Sequence, residues 1–247
     1  AYGGHSCGLP SACHLVAREH QAIARMPPRV SVLQLDTDFP RIAGDVGCPD
    51  SYAGEVEILR INDASVCKIV SDKPEAVDIA PFEQALKRAR GDVIVTSCGF
   101  LSYWQAHLAA HTTQPFISSS LIALEKLSKI YSPGEILILT FDEAALTPKH
   151  LGAFADYKEG IVGLPRDMHL RDVISKNSSE LDVDLATSEL LQFITKQQRF
   201  EHKHLLLECT NLPPYKAQMQ KLTGLPVTDI LTLIEAQSVG SINPEFR

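Results

Sequence analysis

The chain has 247 residues, 45% of them hydrophobic and 21% charged, with a formal net charge of −7. That length can bury a sizeable core in one large domain or two small ones. An acidic chain without a basic stripe cannot neutralise nucleic-acid phosphates, so nucleic acid is excluded as a partner.

No run approaches the roughly 18 consecutive apolar residues of a membrane span, and the opening residues show no charged region followed by an apolar core. A cytoplasmic protein with no membrane partner is therefore expected. The six cysteines, Cys7, Cys13, Cys48, Cys67, Cys98 and Cys209, form no CxxC pair and no disulfide framework. Reduced thiols are the default.

Residues 1–29 begin with Gly3, Gly4, Gly8 and Pro10, which predict an irregular arm leading into a short helix over 11–25. His5, Cys7, Cys13 and His14 lie there, but their spacing matches no zinc-ligand pattern, and they read as a surface arm. The first strand is predicted over 30–36 and the second over 56–61, both rich in Val, Ile and Leu. Pro81 suits the first turn of a helix carrying Phe82, Leu86 and Ala89 at helical spacing, with Lys87, Arg88 and Arg90 at its solvated end. Further strands are predicted over 92–96, 135–140, 160–163 and 204–208. Between the last two, 184–200 carries Leu190, Phe193 and Ile194 in an amphipathic register. A final helix after Asn211 stops at Gly224, two residues before Pro226. Apolar strands alternating with helices define an α/β fold with parallel strands.

Two segments echo one another. Each is a hydrophobic strand ending in a cysteine, then a turn, then a helix, and 111 positions separate Cys98 from Cys209. A duplicated α/β half has that look. In open α/β sheets ligands bind at the carboxyl ends of strands, which is where both thiols fall. The helix N-termini beyond them are expected to favour thiolate. Gly99 lets a ligand approach the backbone, and Thr210 and Asn211 can cap a helix or donate to a carboxylate. Pro213 and Pro214 fit the first turn of that helix.

Two thiols across a cleft suit proton transfer at a carbon beside a carboxylate. One thiolate removes the proton and the other thiol returns one from the opposite face, while oriented donors hold the developing charge. Thr37, Thr96, Ser97, Thr140, Thr210 and the amides of Gly99 and Phe100 are the candidate donors. The plain alternative is that each cysteine is a small buried hydrophobe. Cys48 reads as a loop residue and Cys67 as part of a strand.

Thr96-Ser97-Cys98-Gly99-Phe100-Leu101 and Leu207-Glu208-Cys209-Thr210-Asn211-Leu212-Pro213-Pro214-Tyr215 resemble the two cysteine motifs of the aspartate/glutamate racemase superfamily. Leu35-Asp36-Thr37-Asp38-Phe39-Pro40-Arg41 resembles its substrate loop, and Ile136-Leu137-Ile138-Leu139-Thr140 the strand that opens its second lobe. The resemblance implies two similar lobes, each a mostly parallel sheet flanked by helices, with the active site in the cleft between them. Lobe one would comprise 1–119 plus 212–247, with the arm 1–29, and lobe two 120–211. It further implies a racemase or epimerase that inverts the α-carbon of an amino acid or related small carboxylate, with Cys98 and Cys209 catalytic and Asp36, Thr37, Ser97, Gly99, Phe100, Thr140 and Thr210 binding substrate. No pyridoxal phosphate and no metal are implied, and Gly44-Asp45-Val46-Gly47 is too short for a nucleotide loop. A homodimer is compatible with it.

The chain departs from the family where amino-acid racemases carry Asn and Thr after the first cysteine; here stand Gly99 and Phe100. Thr210 replaces the His of glutamate racemases. Same-fold isomerases or decarboxylases of a small dicarboxylic acid, and a non-catalytic carboxylate sensor, are the competing readings. Asp36 is placed either beside the substrate or in a loop cap. Arg41 could pair with a second substrate carboxylate but is read first as a surface ion pair; Glu208 is read as pointing away from the cleft, and His107, His111, His202 and His204 as solvated.

Overall fold

A computed structural model describes residues 27–247. His5, Cys7, Cys13 and His14, read as part of a surface arm, and the helix predicted over 11–25 lie outside these residues. The chain builds two four-stranded parallel sheets. The first contains β1 (Val30–Leu35), β2 (Val56–Ile61), β3 (Val93–Thr96) and β4 (Phe116–Ile117), in the order β2-β1-β3-β4. The second contains β5 (Ile136–Thr140), β6 (Ile161–Gly163), β7 (His204–Leu207) and β8 (Val227–Thr228), in the order β6-β5-β7-β8.

The two orders are the same permutation, so β3 and β7 occupy equivalent central places. Both strands are buried along their whole length, as parallel strands covered on two faces must be. Their continuous apolar runs are the sequence signature of that burial. The expected architecture is the one observed: two α/β lobes, each a parallel sheet flanked by helices.

The lobe boundary differs from the expectation. Leu205 and Leu206 of β7 pair with Val227 and Thr228 of β8, so lobe two continues to Thr228 rather than ending near residue 211. The helix Lys216–Thr223 packs against the helix Val183–Gln197 of the same lobe. Only from Asp229 does the chain return. Ile230, Leu231, Ile234 and Ile242 then join Val30, Val32, Val93 and Val95 in a core of the first lobe. The physical reason is that β7 would otherwise expose an unpaired edge.

Smaller corrections concern short elements. β4 and β8 have two residues each, too few to show a period. Cys67 lies in a one-turn helix, Val66–Ile69, not in a strand. The helix boundary at Gly224 is as read, with a φ of 68° that favours glycine.

Candidate active site

The carboxyl ends of β3 and β7 face each other across the lobes and are stitched together there. Thr210 Oγ1 donates to the Ser97 carbonyl at 2.7 Å, and Ser120 Oγ donates to the Leu207 carbonyl at 2.7 Å. Thr96 sets the Cys98 turn: its hydroxyl donates to the Ser118 carbonyl at 2.6 Å and accepts the Cys98 amide at 3.4 Å. These bonds place both buried thiols in the wall of one cavity of about 360 Å³, its mouth included. Arg41, Phe39, Phe100, Phe141 and Glu208 share that wall.

The thiols are not poised as thiolates in this closed site. Burial pushes the Cys98 thiol up to about 12 and the neighbouring Glu208 carboxyl adds to the rise, against the Phe100 amide and Arg41. The same two causes raise Cys209 well above the ordinary thiol range, against the Asn211 amide. The expectation of thiols lowered by helix N-termini is thus corrected. Both cysteines lead first into 3-10 turns, Gly99–Trp104 and Pro213–Tyr215, whose short dipoles cannot offset complete burial.

Glu208 is itself fully buried, and burial carries its carboxyl up to about 7, against the Thr140 hydroxyl and the Phe141 amide. Thr140 Oγ1 donates to its Oε2 at 2.6 Å, while Oε1 has no partner among the described residues. This overturns the reading that Glu208 points away. Strand alternation ends one residue earlier than assumed. The amides of both Glu208 and Cys209 approach the Leu139 carbonyl, at 2.9 and 3.4 Å, so two successive residues oppose one, as in a bulge.

Arg41 is half-buried, its side chain only 8% exposed, and is not a surface residue. Its guanidinium pairs with Asp45 at 2.9 Å, donates to Thr37 Oγ1 at 3.0 Å and lies 4.6 Å from the centre of the Phe39 ring. Two of its five N–H donors are thereby used, and Nε has no partner among the described residues. From Asp45 a chain of polar contacts continues to the second lobe. Asn211 Nδ2 donates to Asp45 Oδ2 at 2.6 Å, and the Cys209 thiol donates to Asn211 Oδ1 at 3.7 Å.

Of the residues singled out from sequence, Ser97, Cys98, Gly99, Phe100, Cys209 and Thr210 line the cavity. Thr37 and Thr140 stand behind its wall, holding Arg41 and Glu208. Asp36 does not reach it. Its carboxylate pairs with Arg60 at 2.5 Å and accepts the Asp63 amide, and these contacts hold it below the usual carboxylate range. The hydroxyls counted as donors are largely committed elsewhere: Thr96 to Ser118, Thr140 to Glu208, Thr210 to Ser97. His107 and His111 are exposed as read, whereas His202 and His204 are buried. His204 bonds Thr228 at 2.9 Å, and burial lowers it to about 4.

Sequence reasoning gave Asn211 only as a cap or carboxylate donor, and it did not place Arg41 or Glu208 in the site. Gly99 carried the one legible signal for Glu208, because a glycine beside a buried acid marks space taken by that acid. Among the described residues, Glu83, His107 and His111 bring metal-ligating atoms within 4.8 Å of one another, but they lie away from the cavity. None of the helices in the described residues is long and apolar enough to cross a membrane.

Two parallel lobes with a cysteine at each inner strand end define the fold of the aspartate/glutamate racemase superfamily. Solved structures agree: an aspartate racemase of Picrophilus torridus superposes with a TM-score of 0.52 at 16% identity, covering 89% of this chain and 98% of that one. A mutant of arylmalonate decarboxylase in a sulfate-associated form gives 0.56 at 13% identity, covering 89% and 97%. No family model matches the chain.

Curated proteins similar in sequence have a different activity. A dimethylsulfoniopropionate lyase of Durusdinium sp. clade D is 29% identical over 233 residues, covering 88% of this chain and 76% of that protein. Dimethylsulfoniopropionate lyase 3 of Emiliania huxleyi (strain CCMP1516) is 26% identical over 271 residues, covering 99% and 67%. The chain is thus similar to enzymes on both counts. The expected inversion of an α-carbon, with its same-fold and sensor alternatives, is corrected by these lyases, which match most of the chain at higher identity than the aspartate racemase does.

Proposed function

We propose that this chain is a lyase that cleaves the carbon–sulfur bond of dimethylsulfoniopropionate, or of a close β-sulfonium carboxylate, by elimination. The likeness to lyases of that substrate over most of the chain carries the reading. The site is chemically compatible with it. Racemisation and elimination share a first event, removal of a proton next to a carboxylate. They differ in the fate of the electron pair left on carbon. A racemase must hold the carbanion until a second acid returns a proton, whereas an elimination discharges it by expelling a leaving group.

In the proposed step the Cys98 thiolate takes the α-proton, the C–H pair becomes the new carbon–carbon double bond, and the β-carbon–sulfur bond breaks with its pair kept on sulfur. Neutral dimethyl sulfide and acrylate result, and Cys98 is left as a thiol that returns its proton to solvent. Cys98 is chosen because Arg41 and the Phe100 amide both favour its thiolate. Arg41, with unused N–H donors in the cavity wall, holds the substrate carboxylate. Phe39, Phe100 and Phe141 provide apolar contact for methyl groups and exclude water. Committed hydroxyls are no handicap, since the sulfonium departure relieves the charge they would otherwise have to stabilise.

The test is headspace detection of dimethyl sulfide from purified protein given dimethylsulfoniopropionate. Release by the wild type, with a loss of at least about 100-fold in Cys98→Ala, is expected for removal of a general base. No release by the wild type overturns the reading.

A further inference from the structure

The cavity has two poles of opposite charge. Arg41 supplies a cationic pole from the first lobe, matched to the substrate carboxylate. The anionic pole is Glu208, on the second lobe between the ends of β5 and β7. Its side chain is fully buried, and its Oε2 is fixed by the Thr140 hydroxyl at 2.6 Å. Its Oε1 is sealed from bulk water and has no partner among the described residues. A buried carboxylate oxygen without a donor is costly; the carboxyl, raised to about 7, answers that cost by holding a proton unless a cation lies beside it. The cavity that Glu208 lines is where such a group can sit.

The opposite turn is shaped around this carboxylate. A Cβ built on Gly99 would lie 2.6 Å from the Glu208 carbonyl oxygen and 2.8 Å from its Cδ, and the nearest atom of all would be Oε1 itself. Gly99 is absent from the positive-φ glycines, so its backbone does not require glycine; the space does. Any side chain at position 99 would drive Glu208 out of its seat. Ser97, Thr210 and Asn211, the other polar neighbours of the thiols, carry no charge.

We propose that Glu208, admitted by Gly99, is the seat for the substrate's cationic sulfonium, opposite the carboxylate held by Arg41. The inference rests on the lyase reading for the identity of the cation. It defines a specificity-determining residue: the site takes a zwitterion whose positive centre lies two carbons from its carboxylate, and discriminates against neutral thioethers. Elimination converts the cation to a neutral sulfide, so the attraction to Glu208 is present in the bound substrate and lost in the product. Glu208 therefore acts on substrate binding and product release rather than on the chemical barrier. The bound cation also offsets the carboxylate that otherwise opposes ionisation of Cys98 and Cys209, so the base is armed when substrate is present.

The experiment compares binding of an isosteric pair by calorimetry, with no turnover involved: 3-(trimethylammonio)propionate, a cation, and 4,4-dimethylpentanoate, its neutral carbon analogue. The wild type should prefer the cation by at least about tenfold, as expected for a desolvated charge pair. Glu208→Gln should abolish the preference, Glu208→Asp should retain part of it, and Gly99→Ala should weaken it by displacing the carboxylate. In dimethyl sulfide release, Glu208→Gln should raise KM about tenfold or more with kcat within a few-fold of wild type. An equal preference in wild type and Glu208→Gln overturns the assignment, as does a fall in kcat at unchanged KM, which would make Glu208 a proton carrier. Absence of dimethyl sulfide from the wild type sinks the lyase reading separately, because the binding preference is measured without it.

Discussion

The two cysteine turns share a scaffold and differ in chemistry. Each comes after a central, fully buried strand, β3 or β7, and each thiolate is favoured by the amide two residues further on, Phe100 for Cys98 and Asn211 for Cys209. The flanks are unlike. Cys98 sits between Ser97 and Gly99, Cys209 between Glu208 and Thr210. The first turn is hollow where the second is charged, and the Glu208 carboxylate occupies the volume that Gly99 leaves. A symmetric fold therefore encloses an asymmetric site, with a buried carboxyl beside one thiol and a guanidinium in the opposite wall. That asymmetry suits a reaction with direction, such as elimination, better than one that must run equally from either face.

Making the two turns equivalent, or removing one pole, tests this contrast. The largest expected effect is on the thiols. Cys98→Ala should lose at least about 100-fold in kcat, while Cys209→Ala should lose markedly less. Equal collapse in both would restore a symmetric two-base site, and dimethyl sulfide assays decide it.

Next comes the cationic pole. Arg41→Lys keeps the charge beside Asp45 but loses the planar fork, so KM should rise roughly tenfold. An unchanged KM would move the carboxylate elsewhere.

A thermodynamic effect of about 1–3 kcal/mol should accompany Glu208. Its carboxyl stands at about 7 in the folded chain against 4.5 for the free side chain. The folded state then holds a proton that the unfolded chain has released, and stability falls as pH rises from about 4.5 to 7. Glu208→Gln should remove that fall, leaving the variant more stable than wild type above pH 7 in denaturant titrations. The titratable groups facing it, Cys98 and Cys209, are raised and do not ionise in that window. His204, lowered to about 4 and bonded to Thr228 away from the cavity, gives an opposite slope between about 4 and 6.5 that both proteins share. A wild-type profile identical to the variant's would refute the buried anionic pole.

The smallest effect is assigned to Asp36. Because it faces Arg60 and not the cavity, Asp36→Asn should keep kcat/KM within about twofold of wild type. A large loss would return it to the site.

Local pattern carried much of this protein. Continuous apolar runs marked six of the eight strands, Gly224 marked a helix end, and the repeated strand–cysteine–turn context picked out Cys98 and Cys209. These features depend on near neighbours in the chain, where propensity and periodicity act. Tertiary structure decided the rest. Whether Glu208 faces in or out turned on two amides competing for the Leu139 carbonyl, a contact 69 positions away in sequence from Glu208. Whether Arg41 is surface or site turned on Asp45, Asn211 and a lobe closing over them. Thiol ionisation turned on burial and on a carboxylate, because desolvation is a property of the packed cleft and not of a motif. In the proposed reaction the cysteine pair bears on the first step alone, the loss of a proton, and the motif leaves the rest open. The charged groups that surround the pair are assembled only when the lobes meet, because they come from strand ends and loops far apart in the chain.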